Sequence, residues 1–385
     1  MATKYIIIGG GIAGSTAAET IREHDKEGEI TLISGEAELV YNRIVLPNYL
    51  KGRIDREKLF IKTPESLAAK NINIKAGVWV KSIDTINHAV ILDNGETLAF
   101  DKLLIATGGR PKQWNVPGAD KPGVFHFQTL EDSDAILNYS QNIKSAAVVG
   151  GGFISLELVD AFVFRKIETH LFLRRGFYWP DLMDEEQGLR LVAKLESMGV
   201  IVHTNQSVIE VLGDDKVSGL KTEQGLEVGA DLVGYGIGLD YYTEFLSGSS
   251  IKTNQGVVVN KHLETSVLGI YAAGDVAEYG RAYAPQAAMV GNWDNAKRQG
   301  QVAGLNMAGI ATEFNDVTYY SMSVGGLLVA TLGNTDVPSA DRIEVRKDDK
   351  KYVKILMKDN KVIGAIFVGG VEMVMPLKKL IVEKI

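Results

Sequence analysis

Short apolar runs that lack the polar alternation of a half-exposed sheet recur along the chain. The run at 4–8 reads KYIII and is followed by a glycine turn and a helical segment rich in small residues. A second run, AAVV at 146–149, is followed by a turn and a helix in the same way. Strands buried on both faces of a parallel sheet show this continuous pattern. The sequence therefore predicts an α/β protein with two units of strand, turn and helix.

The first turn has the spacing of a dinucleotide-binding loop, with Gly9, Gly11 and Gly14 as its glycines. The first permits a tight turn, the second lets a pyrophosphate approach the backbone, and the third lets helix and strand pack closely. A second strand, EITLISGE, ends at Glu36, at the distance expected for a carboxylate that binds a ribose hydroxyl.

The second turn departs from this pattern, because Gly150 and Gly152 are followed by Ser155 instead of a third glycine. Serine is small enough to keep the helix close to the strand. The next strand, ETHLFL, ends in Arg174 and Arg175 instead of an acid. An arginine there can pair with the 2′-phosphate of NADPH; the alternative is a solvated strand end. Both NADH and NADPH stay open as the donor.

Two further strands end in residues that suit a ligand. The segment 101–111 closes on Thr107 and Gly108, and its continuation GRPKQW is expected to be a loop because of its glycine and proline. The segment 268–279 contains Asp275 after a strand. Since ligands of open α/β sheets bind at the carboxyl ends of the strands, this carboxylate is a candidate for a ribityl hydroxyl.

Composition narrows the class of protein. The 385-residue chain has a formal charge of −7 and shows no dense basic cluster, which argues against nucleic-acid binding. No apolar run reaches membrane-spanning length and no secretory signal is visible, so the cytoplasm is the expected location. The absence of cysteine excludes a redox-active thiol, and the six scattered histidines predict no metal site.

The tail of the chain, residues 314–385, has more basic than acidic residues, whereas the rest of the chain is acidic. It predicts strands that include a hairpin around Asp359 and Asn360, followed by a helix. Its lysines indicate either a solvated strand surface or a face for docking.

Together with YNRIVLP at 41–47, these motifs and their order resemble the pyridine nucleotide-disulfide oxidoreductase superfamily of FAD proteins. The resemblance runs over essentially the whole chain. It implies two Rossmann-like domains, with an NAD(P)H-binding domain (113–235) inserted in an FAD-binding domain (1–112 and 236–313), and a small α+β domain (314–385).

The resemblance also implies roles for particular residues. The FAD side comprises Gly9, Gly11, Gly14, Glu36, Arg43, Thr107, Gly108 and Asp275. The NAD(P)H side comprises Gly150, Gly152, Ser155, Arg174, Arg175, Gly236 and Gly238. The residues expected at the reacting rings are Glu157, Asn48 and Trp293.

Within the superfamily the cysteine-free chain looks like NADH:rubredoxin oxidoreductases and the flavin domain of nitrite reductase large subunits. It departs from them at Pro47 and Asn48, where relatives commonly have Ser-Lys and the lysine pairs with the counterpart of Glu157. The departure removes a cation expected beside the flavin.

The function implied is hydride transfer from NAD(P)H to flavin N5, followed by single-electron transfer to a carrier such as rubredoxin, ferredoxin or a partner reductase subunit. Two alternatives stay open: an oxidase or diaphorase that uses oxygen, a quinone or another small oxidant, and a flavin-containing sensor resembling apoptosis-inducing factor. A homodimer is also open, because the tail domain is an interface in some relatives and not in others.

Overall fold

The computed structural model describes residues 2–281, 284–288 and 291–382. Strands and helices are numbered here in chain order. Two parallel sheets dominate the molecule, which confirms the predicted α/β class with two Rossmann-like units.

The first parallel sheet is built from both ends of the chain's first 313 residues. In spatial order its strands are β19 (Ile270–Ala272), β7 (Lys102–Ile105), β1 (Lys4–Ile8), β2 (Glu29–Ser34) and β3 (Ile72–Ala76). Helices α1 (Ile12–His24) and α7 (Trp293–Met307) pack closely together beside it. Glycine at 300 is required by this packing, since a Cβ there would lie 2.2 Å from the carbonyl oxygen of Ala13.

Smaller elements complete this part of the chain. They comprise α2 (Leu46–Leu50), α3 (Pro64–Ala68), the antiparallel strands β4 (Val80–Asp84), β5 (Ala89–Leu92) and β6 (Thr97–Ala99), and the strands β18 (Val257–Val258), β20 (Ala277–Arg281) and β21 (Ala284–Ala288).

The second parallel sheet is formed by one continuous stretch of chain. In spatial order its strands are β12 (Ile201–His203), β11 (Glu168–Phe172), β10 (Ser145–Val149), β16 (Leu232–Tyr235) and β9 (Val124–Phe125). The accompanying elements are α4 (Leu130–Tyr139), α5 (Phe153–Phe164), α6 (Glu185–Ser197) and the antiparallel strands β13 (Val208–Leu212), β14 (Gly219–Thr222) and β15 (Glu227–Gly229).

The chain crosses between the two sheets through a short ribbon in which β8 (Arg110–Pro111) pairs antiparallel with β17 (Leu239–Asp240). The expectation of a loop throughout GRPKQW is therefore wrong at Arg110 and Pro111, which form β8. Proline is compatible with such an edge because its missing N–H needs no ladder partner there.

The tail forms an antiparallel sheet with one helix. In spatial order its strands are β22 (Tyr319–Val324), β23 (Leu327–Gly333), β26 (Lys361–Val368), β25 (Tyr352–Lys358) and β24 (Arg342–Lys347), followed by helix α8 (Val374–Val382). The predicted hairpin is present between β25 and β26, where Asp359 and Asn360 both have positive φ, as a tight hairpin turn requires. Among the described residues, no helix is long and apolar enough to cross a membrane.

Candidate active site

A cleft of about 2100 Å³ runs between the two parallel sheets and the tail sheet. Pockets of 300 to 1,000 Å³ ordinarily hold one small ligand, so this cleft has room for two. Most of the sequence-predicted residues line it, namely Gly9, Gly11, Glu36, Arg43, Asn48, Thr107, Gly108, Gly152, Glu157, Gly236, Gly238, Asp275 and Trp293. The remaining predicted residues, Gly14, Gly150, Ser155, Arg174 and Arg175, lie outside the lining.

The first glycine turn joins β1 to α1 and leaves the helix N-terminus uncapped. Gly9 has a φ of 120°, and a Cβ there would lie 2.1 Å from the carbonyl oxygen of Ala106. Gly14 supports the turn from below, because its Cβ would lie 2.0 Å from the Gly9 oxygen. Gly11 has open space around it and makes no side-chain cap. The free N–H groups of α1 therefore fit the pyrophosphate of a dinucleotide.

At the end of β2, the carboxylate of Glu36 is held by two neighbours. The Tyr41 hydroxyl donates a hydrogen bond to its Oε2 at 2.6 Å, and Arg43 forms an ion pair with its Oε1. Arg43 in turn donates to the Gln128 carbonyl oxygen at 2.8 Å. Glu36 keeps partial exposure to the cleft, so it can still accept hydrogen bonds from a ribose.

The first half of the cleft also holds a hydroxyl without a partner and a desolvated carboxyl. Thr107 Oγ1 is buried without a hydrogen-bond partner among the described residues. Burial raises the pKa of the Asp275 carboxyl to about 6, against the opposing charge of Arg43. An orphaned hydroxyl and a desolvated carboxyl at strand ends fit a ligand with hydroxyl groups, as the ribityl chain of FAD has.

The second glycine turn joins β10 to α5 and repeats the geometry of the first. Gly150 has a φ of 129°, and a Cβ there would lie 2.3 Å from the Gly236 oxygen. Gly152 is open to the cleft and begins α5 without a side-chain cap. The Tyr178 hydroxyl donates to the Gly152 oxygen at 2.6 Å, a support that sequence motifs did not indicate. This turn fits a second pyrophosphate.

Ser155 is fully buried beneath this turn, and its Oγ has no partner among the described residues. A Cβ on Gly150 or on Gly236 would lie within 3.0 Å of the Ser155 Oγ, so the serine side chain occupies the space beside both glycines. The Ser155 side chain therefore packs between α5 and the ends of β10 and β16, where it is a small replacement for glycine.

Arg174 and Arg175 follow β11 and are exposed. Neither forms an ion pair with a carboxylate in the part of the chain that the structure describes. They are thus available to an anionic group at the end of β11, although they do not reach the cleft lining.

Glu157 lies on α5, facing the cleft between the two parallel sheets. Burial raises the pKa of its carboxyl to about 7, and both a hydrogen bond from Tyr320 and the charge of Lys51 act in the opposite direction. Asn48 lines the same region on α2.

A lysine, Lys51, lies three residues after Asn48, at the C-terminal end of α2. Lys51 is nearly buried and forms an ion pair with Asp160, which lies one turn after Glu157 on α5. The pair joins α2 to α5 beside the cleft. Sequence reasoning missed it, although the spacing of three residues from Asn48 and from Glu157 was a signal.

Aromatic rings that the motifs also missed join the tail sheet to the start of α5. The ring centroid of Phe153 lies 4.0 Å from that of Tyr320, and the ring of Phe153 meets that of Trp179 edge-on at a centroid distance of 4.6 Å.

Trp293 lines the cleft at the start of α7. The Asn292 side chain caps this helix by accepting a hydrogen bond from the Asn295 N–H. The same side chain donates a hydrogen bond to the Tyr319 backbone oxygen at 3.0 Å.

Comparison with known proteins places this cleft in context. Residues 3–300 match the family model described as pyridine nucleotide-disulphide oxidoreductase, and residues 321–385 match the model described as rubredoxin NAD+ reductase C-terminal domain. The chain is 31% identical over 373 residues to a nitrite reductase [NAD(P)H] of Bacillus subtilis, covering 95% of this chain and 45% of that protein. It thus spans a little under half of that relative's length.

Other relatives match along most of their length. NADH-rubredoxin oxidoreductase of Clostridium acetobutylicum is 28% identical over 380 residues, covering 98% of this chain and 94% of the relative. Among solved structures, the putidaredoxin reductase in a covalent complex with putidaredoxin superposes with a TM-score of 0.93 at 25% identity, covering 100% of this chain and 94% of that one.

Proposed function

We propose that this chain, which belongs to the pyridine nucleotide-disulphide oxidoreductase family, is an FAD-dependent NAD(P)H oxidoreductase whose electron acceptor is a small carrier protein such as rubredoxin. The observation that carries the proposal is the cleft: two open helix N-termini face it, and the chain has no cysteine to receive electrons. Electrons then leave the cofactor directly. The match of the tail to a rubredoxin reductase domain supports rubredoxin over other carriers.

We assign the FAD-binding domain to residues 1–112 and 236–313, the NAD(P)H-binding domain to 113–235 and the tail domain to 314–385. The separate sheets support this division. We place the reaction in the cytoplasm, where NAD(P)H is regenerated.

The chemistry that bound FAD would supply is acceptance of a hydride from NAD(P)H and release of electrons one at a time to a carrier. The N-terminus of α1, with Glu36 and Asp275, would hold FAD, and the N-terminus of α5 would hold NAD(P)H. Glu157 lies between these two places and would orient the nicotinamide by hydrogen bonding. The contribution of the protein is therefore positioning and electrostatics.

Anaerobic rapid mixing with NADH and with NADPH tests the first half of the proposal. Bleaching of the flavin by at least one donor is expected, and addition of oxidised rubredoxin should then restore the flavin colour. No bleaching by either donor would refute the reductase assignment, and bleaching without reoxidation by rubredoxin or ferredoxin would refute the carrier assignment.

A matched pair of variants ties the reaction to the cleft. Gly152→Val adds a side chain where the protein leaves open space, so the fold is kept while pyrophosphate approach is blocked. The variant should bind FAD and bleach with dithionite but not with NAD(P)H. Gly229→Val, on the exposed strand β15, is the control and should bleach normally.

Direct reduction of oxygen is the second candidate. It is favoured by a relative from Methanocaldococcus jannaschii called NADH oxidase, which is 29% identical over 400 residues and covered to 88%. Rapid aerobic turnover of NAD(P)H without any carrier would support it.

A further inference from the structure

We propose that Tyr320, on the first strand of the tail sheet, is a positioning residue for the carboxyl of Glu157, so that the tail domain forms part of the active site. The inference rests on the proposed function, since it assigns a task within the same cleft. It gives the tail a role in the chemistry in addition to any role in docking.

The contact joins residues that are far apart in the sequence. The Tyr320 hydroxyl lies 3.4 Å from Glu157 Oε1 and is the hydrogen-bond partner of that carboxyl within the described chain. Burial and the nearby carboxyl raise the pKa of Tyr320 well above its ordinary value, so its hydroxyl stays protonated and can donate. With Oε1 engaged by Tyr320, Oε2 is left for a ligand in the cleft.

Several contacts fix the position of Tyr320. Its ring packs on Phe153, which follows the second glycine turn directly. The neighbouring Tyr319 oxygen accepts a hydrogen bond from Asn292, and the backbone N–H of Gly325, at the end of the hairpin, donates to Asp160 at 3.4 Å. The strand is thus held at both ends, against α7 and against α5.

The charged groups around Glu157 leave Tyr320 as its direct polar neighbour. Lys51, at the C-terminal end of α2, acts on Glu157 at longer range, because its ammonium is paired with Asp160 on α5. From the first sheet, Asp275 acts on Tyr320 through space. No cation in the described residues touches Glu157, so the tyrosine hydroxyl is the group that orients the carboxyl.

The test compares Tyr320→Phe with Tyr319→Phe in the FAD-loaded protein. The first removes the hydroxyl and keeps the ring on Phe153; the second makes the same chemical change at the neighbouring position, which packs with the tail core. Infrared difference spectroscopy follows protonation of the carboxyl, and a Glu157→Gln variant assigns the band.

Because the Tyr320 hydrogen bond favours the ionised carboxyl, its loss should move the titration midpoint upward by about half a pH unit, a threefold change in proton affinity. Tyr319→Phe should leave the midpoint unchanged. An unchanged midpoint in Tyr320→Phe, or an equal shift in both variants, would overturn the inference.

A second measurement uses NAD+ binding by calorimetry. Tyr320→Phe should weaken binding in the wild-type background and have no further effect in Glu157→Leu, which removes the acceptor of the Tyr320 hydroxyl. An equal loss in both backgrounds would show that Tyr320 acts by packing alone. The infrared titration needs no electron donor or acceptor, so it decides this contact even if the protein fails to reduce a carrier.

Discussion

Replacing Glu157 by glutamine should make the protein more stable, by an amount that grows as the pH rises from 4.5 to about 7. Burial raises the pKa of this carboxyl from 4.5 to about 7. A folded-state pKa above the unfolded value means that the stabilising contribution is complete below about pH 4.5 and is lost as the pH rises through 7. Above about pH 7 the wild-type protein must hold an ionised Glu157 carboxylate in a poorly solvated place. A glutamine there stays neutral at every pH and keeps an acceptor for the Tyr320 hydroxyl.

The size of the effect follows from the two pKa values. A shift of one unit is 1.36 kcal/mol, so Glu157→Gln should exceed wild type in unfolding free energy by about 1 kcal/mol near pH 5, about 2 near pH 6 and about 3 near pH 8. Urea unfolding followed by tryptophan fluorescence at these pH values measures the difference. Glu223→Gln, at an exposed position, controls for loss of a surface carboxylate. A difference that does not change with pH would refute the reasoning.

Three further changes test other parts of the site. Lys51→Met should lower the unfolding free energy by about 3 to 5 kcal/mol in urea unfolding, because the mostly buried Asp160 loses its counter-charge; Lys58→Met, which breaks an exposed pair, should change little. Gly9→Ala should abolish FAD retention after gel filtration, since its Cβ would meet a backbone oxygen at 2.1 Å. Arg174→Glu should shift the ratio of NADPH to NADH affinity towards NADH by roughly 10- to 100-fold in equilibrium titrations; an unchanged ratio would mean that the arginine faces only water.

The glycine turns and strand ends could be predicted because their signals are local. Gly9 and Gly150 occupy positions with positive φ against a neighbouring backbone oxygen, which other residues cannot adopt without strain. The strand before Asp275 is a continuous apolar run, as a strand covered on both faces requires. Such constraints act within about ten residues and are visible without knowing how distant segments meet.

The contacts around Glu157 could not be predicted in this way, because they depend on how separate parts of the chain pack. Tyr320 is 163 residues from Glu157, and Lys51 is 109 residues from Asp160. From the motif alone, Asn48 in place of the relatives' lysine indicated that the cation expected beside the flavin is missing. The structure shows Lys51 directly after α2, three residues beyond Asn48, and paired with Asp160 on α5, three residues beyond Glu157.

The order of strands in the tail sheet separates two tasks that the sequence could not distinguish. β22, with Tyr320, is at the edge next to the cleft, whereas β24, with exposed Arg342 and Arg346, is at the opposite edge, about 19 Å away for a spacing near 4.8 Å between neighbouring strands. Several of the tail's cations are already matched by acids, as in the pairs of Arg342 with Glu344 and of Lys347 with Glu186. A carrier that binds for electron transfer has to approach the flavin, so the far edge is poorly placed to receive it. We therefore expect the carrier to dock at the mouth of the cleft, with the β22 edge beside it. The cations of β24 would then serve solubility and, through Lys347 and Glu186, the contact with α6.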